Sequence, residues 1–362
     1  MAFRFDNLDS IRTIAFLSTF MAHGFYSESP EILNHEVFKG VIKFNELFSF
    51  GVPIFFVLSG FLITYLMFRE VEKNNRFSIK NFYIRRILRI WPVYYLVLVI
   101  GFIVFPIVRS ALIGSEYPET ANPWYYTFFL SNIDQIQAST LPFGIGLGPT
   151  WSVSVEEQFY LIWPLIFVLL PKKNFLWGIL LIITSSIFLS SFFELSNKNL
   201  IYCISYLGIG ALAAYIAYHY EGFVRKITNI SVFTLLPVFL LLLLTIYTSL
   251  YIYSSFLFIP IIAILISYII LQQCYGTKGA LKKIPLLERM GKYTYGLYLY
   301  HVICNFVVYT LFVTILKFDE SIWMAVVFRP IISLILSAIV SIFSYRYMES
   351  YFLRLKEHFS KQ

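Results

Sequence analysis

Apolar runs of about 20 residues recur along the chain, and they decide the fold class before anything else does. "GVPIFFVLSGFLITYLMFR" begins at Gly51, and "FYLIWPLIFVLL" follows two acids at Glu156 and Glu157. At ~1.5 Å of rise per residue, a run of this length crosses ~30 Å of hydrocarbon as a helix. A membrane β-barrel instead shows short alternating strands, which the sequence lacks. The expected fold class is therefore all-α, a polytopic bundle of about ten transmembrane helices.

Composition agrees. Only 13% of the 362 residues are charged and 59% are hydrophobic, whereas a soluble domain carries about a quarter charged residues. The net charge of +8 fits basic residues gathered in cytoplasmic loops, so no nucleic-acid partner is expected. Cys203, Cys274 and Cys304 stand singly, without a C-x-x-C spacing, so neither a disulfide nor a metal site is expected. The first apolar stretch contains Arg12 and His23 and lacks a small-residue cleavage site, which reads as a retained helix rather than a signal peptide.

The expected spans are 11–26, 47–68, 87–108, 151–170, 175–193, 200–219, 230–250, 254–272, 293–316 and 324–347. With the N-terminus inside, one side collects Arg4, the basic cluster from Arg69 to Arg86, Lys172, Lys173, Arg225, Lys226, the 273–292 loop with Lys278, Lys282 and Lys283, and the tail with Lys361. The other side holds only Lys39, Lys43, Arg109, Lys198 and Lys317. That bias places both termini in the cytoplasm of a multi-pass plasma-membrane protein. The longest external connection, 109–149, holds Trp124 and Tyr125, which are either interface aromatics or a platform for a sugar acceptor. No internal repeat of the kind found in many transporters is visible.

Ionisable groups inside spans are functional candidates by default. Arg12 and His23 lie eleven residues apart, three turns plus ~20°, so they share one helix face ~16 Å apart along the axis. Each also has an ordinary reading, Arg12 as a snorkelling anchor and His23 as a buried hydrogen-bonded histidine. Ser59-Gly60 is either a close-packing pair or a site element near mid-depth. Arg85, Arg86 and Arg89 are either positive-inside anchors or a fork for a phosphorylated donor, since guanidinium binds phosphate bidentately. His301 lies ~12 Å in from Tyr293 by helix rise, with Tyr300 beside it.

The acids of "TWSVSVEEQFY" have a structural alternative. Ser154 to Glu157 fits a capping box, which accounts for Glu157 if the helix starts at Ser154. If it starts at Pro149, Glu156 is ~10 Å along the helix and the cap accounts for neither acid. Adjacent residues point ~100° apart, so one acid of the pair faces a given site.

Together these stretches resemble the integral-membrane acyltransferase-3 family, which includes bacterial O-antigen, exopolysaccharide and peptidoglycan O-acetyltransferases. "LDSIRTIAFLSTFMAH" resembles its opening signature and "FFVLSGFLIT" its second-helix motif. "RRILRIWP", "WSVSVEEQFYLIWP" and "YGLYLYH" resemble its arginine, Trp-Ser-x-x-x-Glu-Glu and Tyr-x-x-His elements, in the same order. Ser10 and Thr13 stand where the family opening usually has glycines, and Tyr300 where a Trp often precedes the histidine. The resemblance implies a single membrane acyltransferase domain over 1–362, without a C-terminal esterase-like domain.

It also implies transfer of an acyl group, most simply acetyl, from cytosolic acyl-CoA to a hydroxyl of an extracytoplasmic carbohydrate or lipid-linked glycan. No tightly bound cofactor is expected. The expected catalytic residues are His23 as general base, Glu156 to orient or charge-stabilise it, Arg12 and His301 to polarise the thioester or steady the donor, and Ser59. Arg85, Arg86 and Arg89 are expected to hold the donor phosphates. Trp124, Tyr125, Trp151, Glu157 and Tyr300 are weaker candidates for substrate contact. The alternative class is a transporter or flippase of a lipid-linked sugar, which also uses intramembrane charge.

Overall fold

A computed structural model of the chain describes residues 5, 7–113, 119–138, 141–229, 235–251, 258–276, 284–318 and 320–359. The described residues form helices and turns, with no strand among them. Eight helical stretches are long and apolar enough to cross a membrane: Glu36–Asn74, Ile79–Ala111, Thr150–Leu169, Lys172–Phe192, Leu200–His219, Phe258–Tyr275, Thr294–Ile315 and Met324–Lys356.

These answer eight of the ten expected spans. Of the other two, the first is shorter than expected. The first helix, Leu8–His23, has 16 residues and stops at His23 instead of continuing to 26; at ~1.5 Å per residue it rises ~24 Å, less than the hydrocarbon thickness. Leu235–Tyr251 has 17 residues, and the start of that expected span, 230–234, lies outside the described residues, as do Arg4, Lys278, Lys282, Lys283 and Lys361.

The helices that place the candidate residues are α1 (Leu8–His23), α2 (Gly51–Asn74), α3 (Ile79–Val99), α4 (Thr150–Leu169), α5 (Leu200–His219), α6 (Thr294–Tyr309) and α7 (Arg329–Ser344). The chain divides into two units: Met1–Ala15, Phe50–Ile79 and Val155–Lys292 form the first, and Phe16–Ser49, Lys80–Ser154 and Tyr293–Gln362 the second.

In the first unit α2 packs along α5 at backbone distance. A Cβ on Gly60 would sit 1.9 Å from the Leu207 carbonyl oxygen, and one on Gly210 would sit 2.1 Å from that of Val57. Only glycine permits this approach, as in other small-residue membrane interfaces. Gly60 of the Ser-Gly pair is thus a packing residue. Trp163 ties α4 to α2 by donating its indole N–H to Thr64 Oγ1 at 2.8 Å.

In the second unit α6 runs along the face of α7 that buries Ser333, Ser337 and Ser341. The glycine-rich stretch 144–149 is packed rather than open, while Leu141 and Phe143 before it are exposed. Leu147 is fully buried and covers Gly101, where a Cβ would meet its side chain at 2.7 Å. Gly146 has φ +79°, and its missing Cβ leaves room for Ile303 of α6.

Candidate functional site

In the second unit, His23 closes α1 and is exposed, whereas His301 of α6 is fully buried. Their ring centroids are 5.6 Å apart. Phe16 and Phe20, on the same helix as His23, wall the His301 ring with centroids at 6.1 and 6.4 Å. His301 Nδ1 lies 2.6 Å from the Tyr298 carbonyl oxygen. A carbonyl only accepts, so Nδ1–H donates, and the neutral ring keeps its lone pair on Nε2. That nitrogen is buried with no hydrogen-bond partner among the described residues.

Tyr298 is also held by its hydroxyl, which lies 2.5 Å from Ser152 Oγ and 3.3 Å from the Pro149 carbonyl oxygen. The tyrosine of the Tyr-x-x-His element and the serine of Trp-Ser-x-x-x-Glu-Glu therefore meet, and the Tyr298 carbonyl fixes the tautomer of His301. Asn305, one turn beyond His301, donates its amide to the His23 carbonyl at 3.0 Å. The helix periodicity makes His301 and Asn305 neighbours on one face.

The first unit holds a different polar chain. Tyr160, buried and one turn after Glu156 on α4, donates its hydroxyl to Glu156 Oε2 at 2.8 Å. Ser59 and Tyr160 are hydrogen-bonded hydroxyl to hydroxyl. A carboxylate only accepts and a phenol has one proton, so Ser59 is the donor to Tyr160. The order Ser59 to Tyr160 to Glu156 is fixed by that inventory. In the same unit Arg12 pairs with Asp9, one turn earlier, and Thr13 Oγ1 donates to the Leu287 carbonyl at 2.8 Å.

Of the two helix starts weighed for Glu156 and Glu157, the one at Pro149 rather than the capping box at Ser154 agrees with the structure. α4 starts at Thr150, four residues before Ser154. Ser154 spends its hydroxyl on Ser131 Oγ at 2.8 Å instead of on a helix-end N–H. Glu157 is half-buried within the helix, not in its first turn, so the cap assigns it no task. Trp151 is half-buried at the start of the same helix.

The arginine motif lies on α3. Arg85 Nη1 donates to the Phe359 carbonyl at 2.9 Å, and the Arg86 guanidinium sits 5.4 Å from the centre of the Phe82 ring. Arg89 lies within electrostatic reach of Glu349. Tyr300 turns away from the histidines and pairs its hydroxyl with Ser344 Oγ at 2.9 Å. Trp124 is exposed and stacks on Phe128 at 6.3 Å, while Tyr125 is half-buried.

Tyr160, Tyr298 and Ser152 were not singled out as site residues from the sequence. Tyr160 was accessible as the residue one helical turn after Glu156, and Tyr298 as the one three residues before His301.

Comparison with known proteins decides the family. A family model described as an acyltransferase domain matches residues 5–346. The chain belongs to the acyltransferase-3 family. It is 36% identical over 118 residues to the peptidoglycan O-acetyltransferase OatA of Listeria monocytogenes, covering 32% of this chain and 19% of that protein. It is 30% identical over 190 residues to a putative O-acetyltransferase of Staphylococcus aureus strain COL, covering 48% of this chain and 28% of that one. An uncharacterized protein of Haemophilus influenzae is 36% identical over 146 residues, 38% of this chain and 56% of that one. The chain thus spans between about a fifth and a little over half of these relatives' lengths. No solved structure gives a significant match. With the eight apolar helical stretches, this family member is a multi-pass membrane protein.

Proposed function

We propose that this acyltransferase-3 protein is a plasma-membrane O-acetyltransferase, moving an acetyl group from cytosolic acyl-CoA to a hydroxyl of an extracytoplasmic glycan. The observation that carries the chemistry is the His23–His301 pair, 5.6 Å between centroids, with the tautomer of His301 fixed by Tyr298. The names of the Listeria and Staphylococcus relatives support acetyl as the group and a cell-surface glycan as the acceptor class. The loop-charge bias supports cytoplasmic termini.

In this reading the exposed His23 is the general base. One of its ring nitrogens takes the proton of the acceptor hydroxyl, and the hydroxyl oxygen attacks the thioester carbonyl carbon. The C–S bond breaks as the tetrahedral intermediate collapses, and the thiolate leaves with the proton that His23 carried. His301 is the orienting group behind the base. Its Nε2, without a partner among the described residues, offers its lone pair to the other N–H of His23 as the imidazolium forms in the complex.

The lone pair on Nε2 also argues against the expectation that a neutral His301 polarises the thioester, because that task needs an N–H. The orienting role first expected of Glu156 passes to His301. Glu156 and Ser59 are assigned to one functional unit with Tyr160, and Arg12 to steadying the donor. Arg85, Arg86 and Arg89 receive the phosphates of acyl-CoA.

The test is transfer of labelled acetate from acetyl-CoA to envelope glycan fragments by the purified protein in liposomes. The wild type is expected to label the glycan and His23→Ala is not. Equal labelling by both would remove His23 from the chemistry, and no acyl-CoA consumption by the wild type would remove the donor.

A further inference from the structure

A buried ion pair outside the residues assigned so far bears on how His23 is held. Arg329 opens α7 and is 5% exposed, a costly place for a guanidinium whose charge is not balanced; its Nε has no hydrogen-bond partner among the described residues. Its Nη2 donates to the Tyr26 carbonyl at 2.9 Å and pairs with the buried carboxylate of Glu320. Its charged carbon also lies 5.0 Å from the centre of the Tyr309 ring. Tyr309 in turn meets Tyr26 edge-on, with centroids 5.1 Å apart.

These contacts complete a pattern along α6. His301, Asn305 and Tyr309 follow one another at four-residue spacing, one stripe of the helix. His301 faces the His23 ring, Asn305 holds the His23 carbonyl, and Tyr309 packs on Tyr26. His23 is the last residue of α1 and Gly24 to Tyr26 have left the helix, so the backbone carbonyls from His23 to Tyr26 lack intrahelical partners. Two of those carbonyls are taken by side chains, Asn305 at one end and Arg329 at the other.

We propose that Arg329, charge-balanced by Glu320, is a positioning residue that locks the segment after α1 onto the α6 stripe and so keeps the His23 ring against His301. It rests on the reading of His23 as the base, and its test includes a measurement that needs no chemistry. Glu320 orients the guanidinium, and the Tyr26 carbonyl is what the guanidinium holds. Loss of the clamp lets the exposed His23 leave the face of His301. Transfer then slows without a change in donor binding.

The experiment compares Arg329→Gln, Arg329→Lys and Glu320→Gln with the wild type in liposomes. Arg329→Gln should lower kcat by about tenfold or more with the KM for acetyl-CoA unchanged, as expected when a catalytic group is misplaced rather than removed. Arg329→Lys should recover part of the loss. In a His23→Ala background Arg329→Gln should cost little further, because the two act through one group. Separately, His23→Cys should react with a maleimide several-fold faster when combined with Arg329→Gln. An unchanged kcat together with an unchanged labelling rate overturns the proposal, as does a raised KM at constant kcat. Faster labelling in protein whose wild type transfers no acetate would keep the clamp and sink the functional reading instead. Should Arg329→Gln fail to accumulate in membranes, Arg329→Lys and Glu320→Gln carry the same comparison.

Discussion

His23 and His301 face each other with ring centroids 5.6 Å apart, the first exposed and the second fully buried. This asymmetry separates a base that substrate can reach from a group that can only support it. His301→Ala should therefore lower kcat by at least about 10²-fold, within the range for removing acid–base assistance. Binding of the acceptor should be little changed, because His301 is not exposed to it. Steady-state kinetics in liposomes provide the check; a raised acceptor KM with kcat intact would contradict it.

The Ser59–Tyr160–Glu156 chain predicts that Tyr160→Phe behaves like Glu156→Gln. Removing the phenol hydroxyl separates Ser59 from the carboxylate and leaves a half-buried acceptor short of a donor, which costs ~1–3 kcal/mol. Both single variants and the double variant should show the same residual transfer. A fully active Tyr160→Phe would detach Glu156 from Ser59.

Backbone contact between α2 and α5 predicts a strong size limit. Gly60→Ala would place a methyl group 1.9 Å from the Leu207 carbonyl oxygen, so the helices must part, at about 1–3 kcal/mol or more for an overpacked site. Gly40→Ala, inside the helix Glu36–Glu46, meets nothing within 4 Å and should cost no stability or gain up to about 1 kcal/mol. Thermal unfolding in detergent separates the two, and an unaffected Gly60→Ala would disprove the close approach.

The Asp134 carboxyl lies outside the expected spans, in the connection before α4. Burial pushes its pKa up from the ordinary carboxylate range, partly offset by the Asn122 backbone N–H at 3.4 Å. A group that binds its proton more tightly when folded stabilises at pH below its unfolded pKa, and that contribution is lost as pH rises through the raised value. Asp134→Asn should therefore gain melting temperature relative to the wild type at pH 7, and gain less or none at pH 4. The opposite trend would show the carboxylate to be a favoured partner.

Arg86 carries the donor assignment, stacked against Phe82 on α3. Arg86→Ala should raise the KM for acetyl-CoA and leave that for the glycan unchanged. A shift confined to the acceptor would move the arginine motif to the other substrate.

Much of this was legible along the chain because it is local. Apolar runs announced the helices, and an end slipped where rise, not hydropathy, decides whether a stretch spans, as in α1. The five motifs carried the family without any structure. The choice between a helix start at Ser154 and one at Pro149 stayed open in the sequence; the start at Thr150 decides it, and Ser154 bonds Ser131, a partner 23 residues away. Tyr160 and Tyr298 were within reach through helical spacing. The Arg329–Tyr26 clamp was not, because it joins positions 303 residues apart that no local pattern connects.

The most direct measurement of the central claim is mass spectrometry of envelope glycans from cells lacking this protein, complemented with the wild type or with His23→Ala. The account predicts that an increment of ~42 daltons, the mass an acetyl group adds when it replaces a hydroxyl hydrogen, disappears on deletion and returns only with the wild type. Its persistence in the deletion strain, or its full return with His23→Ala, would contradict the account.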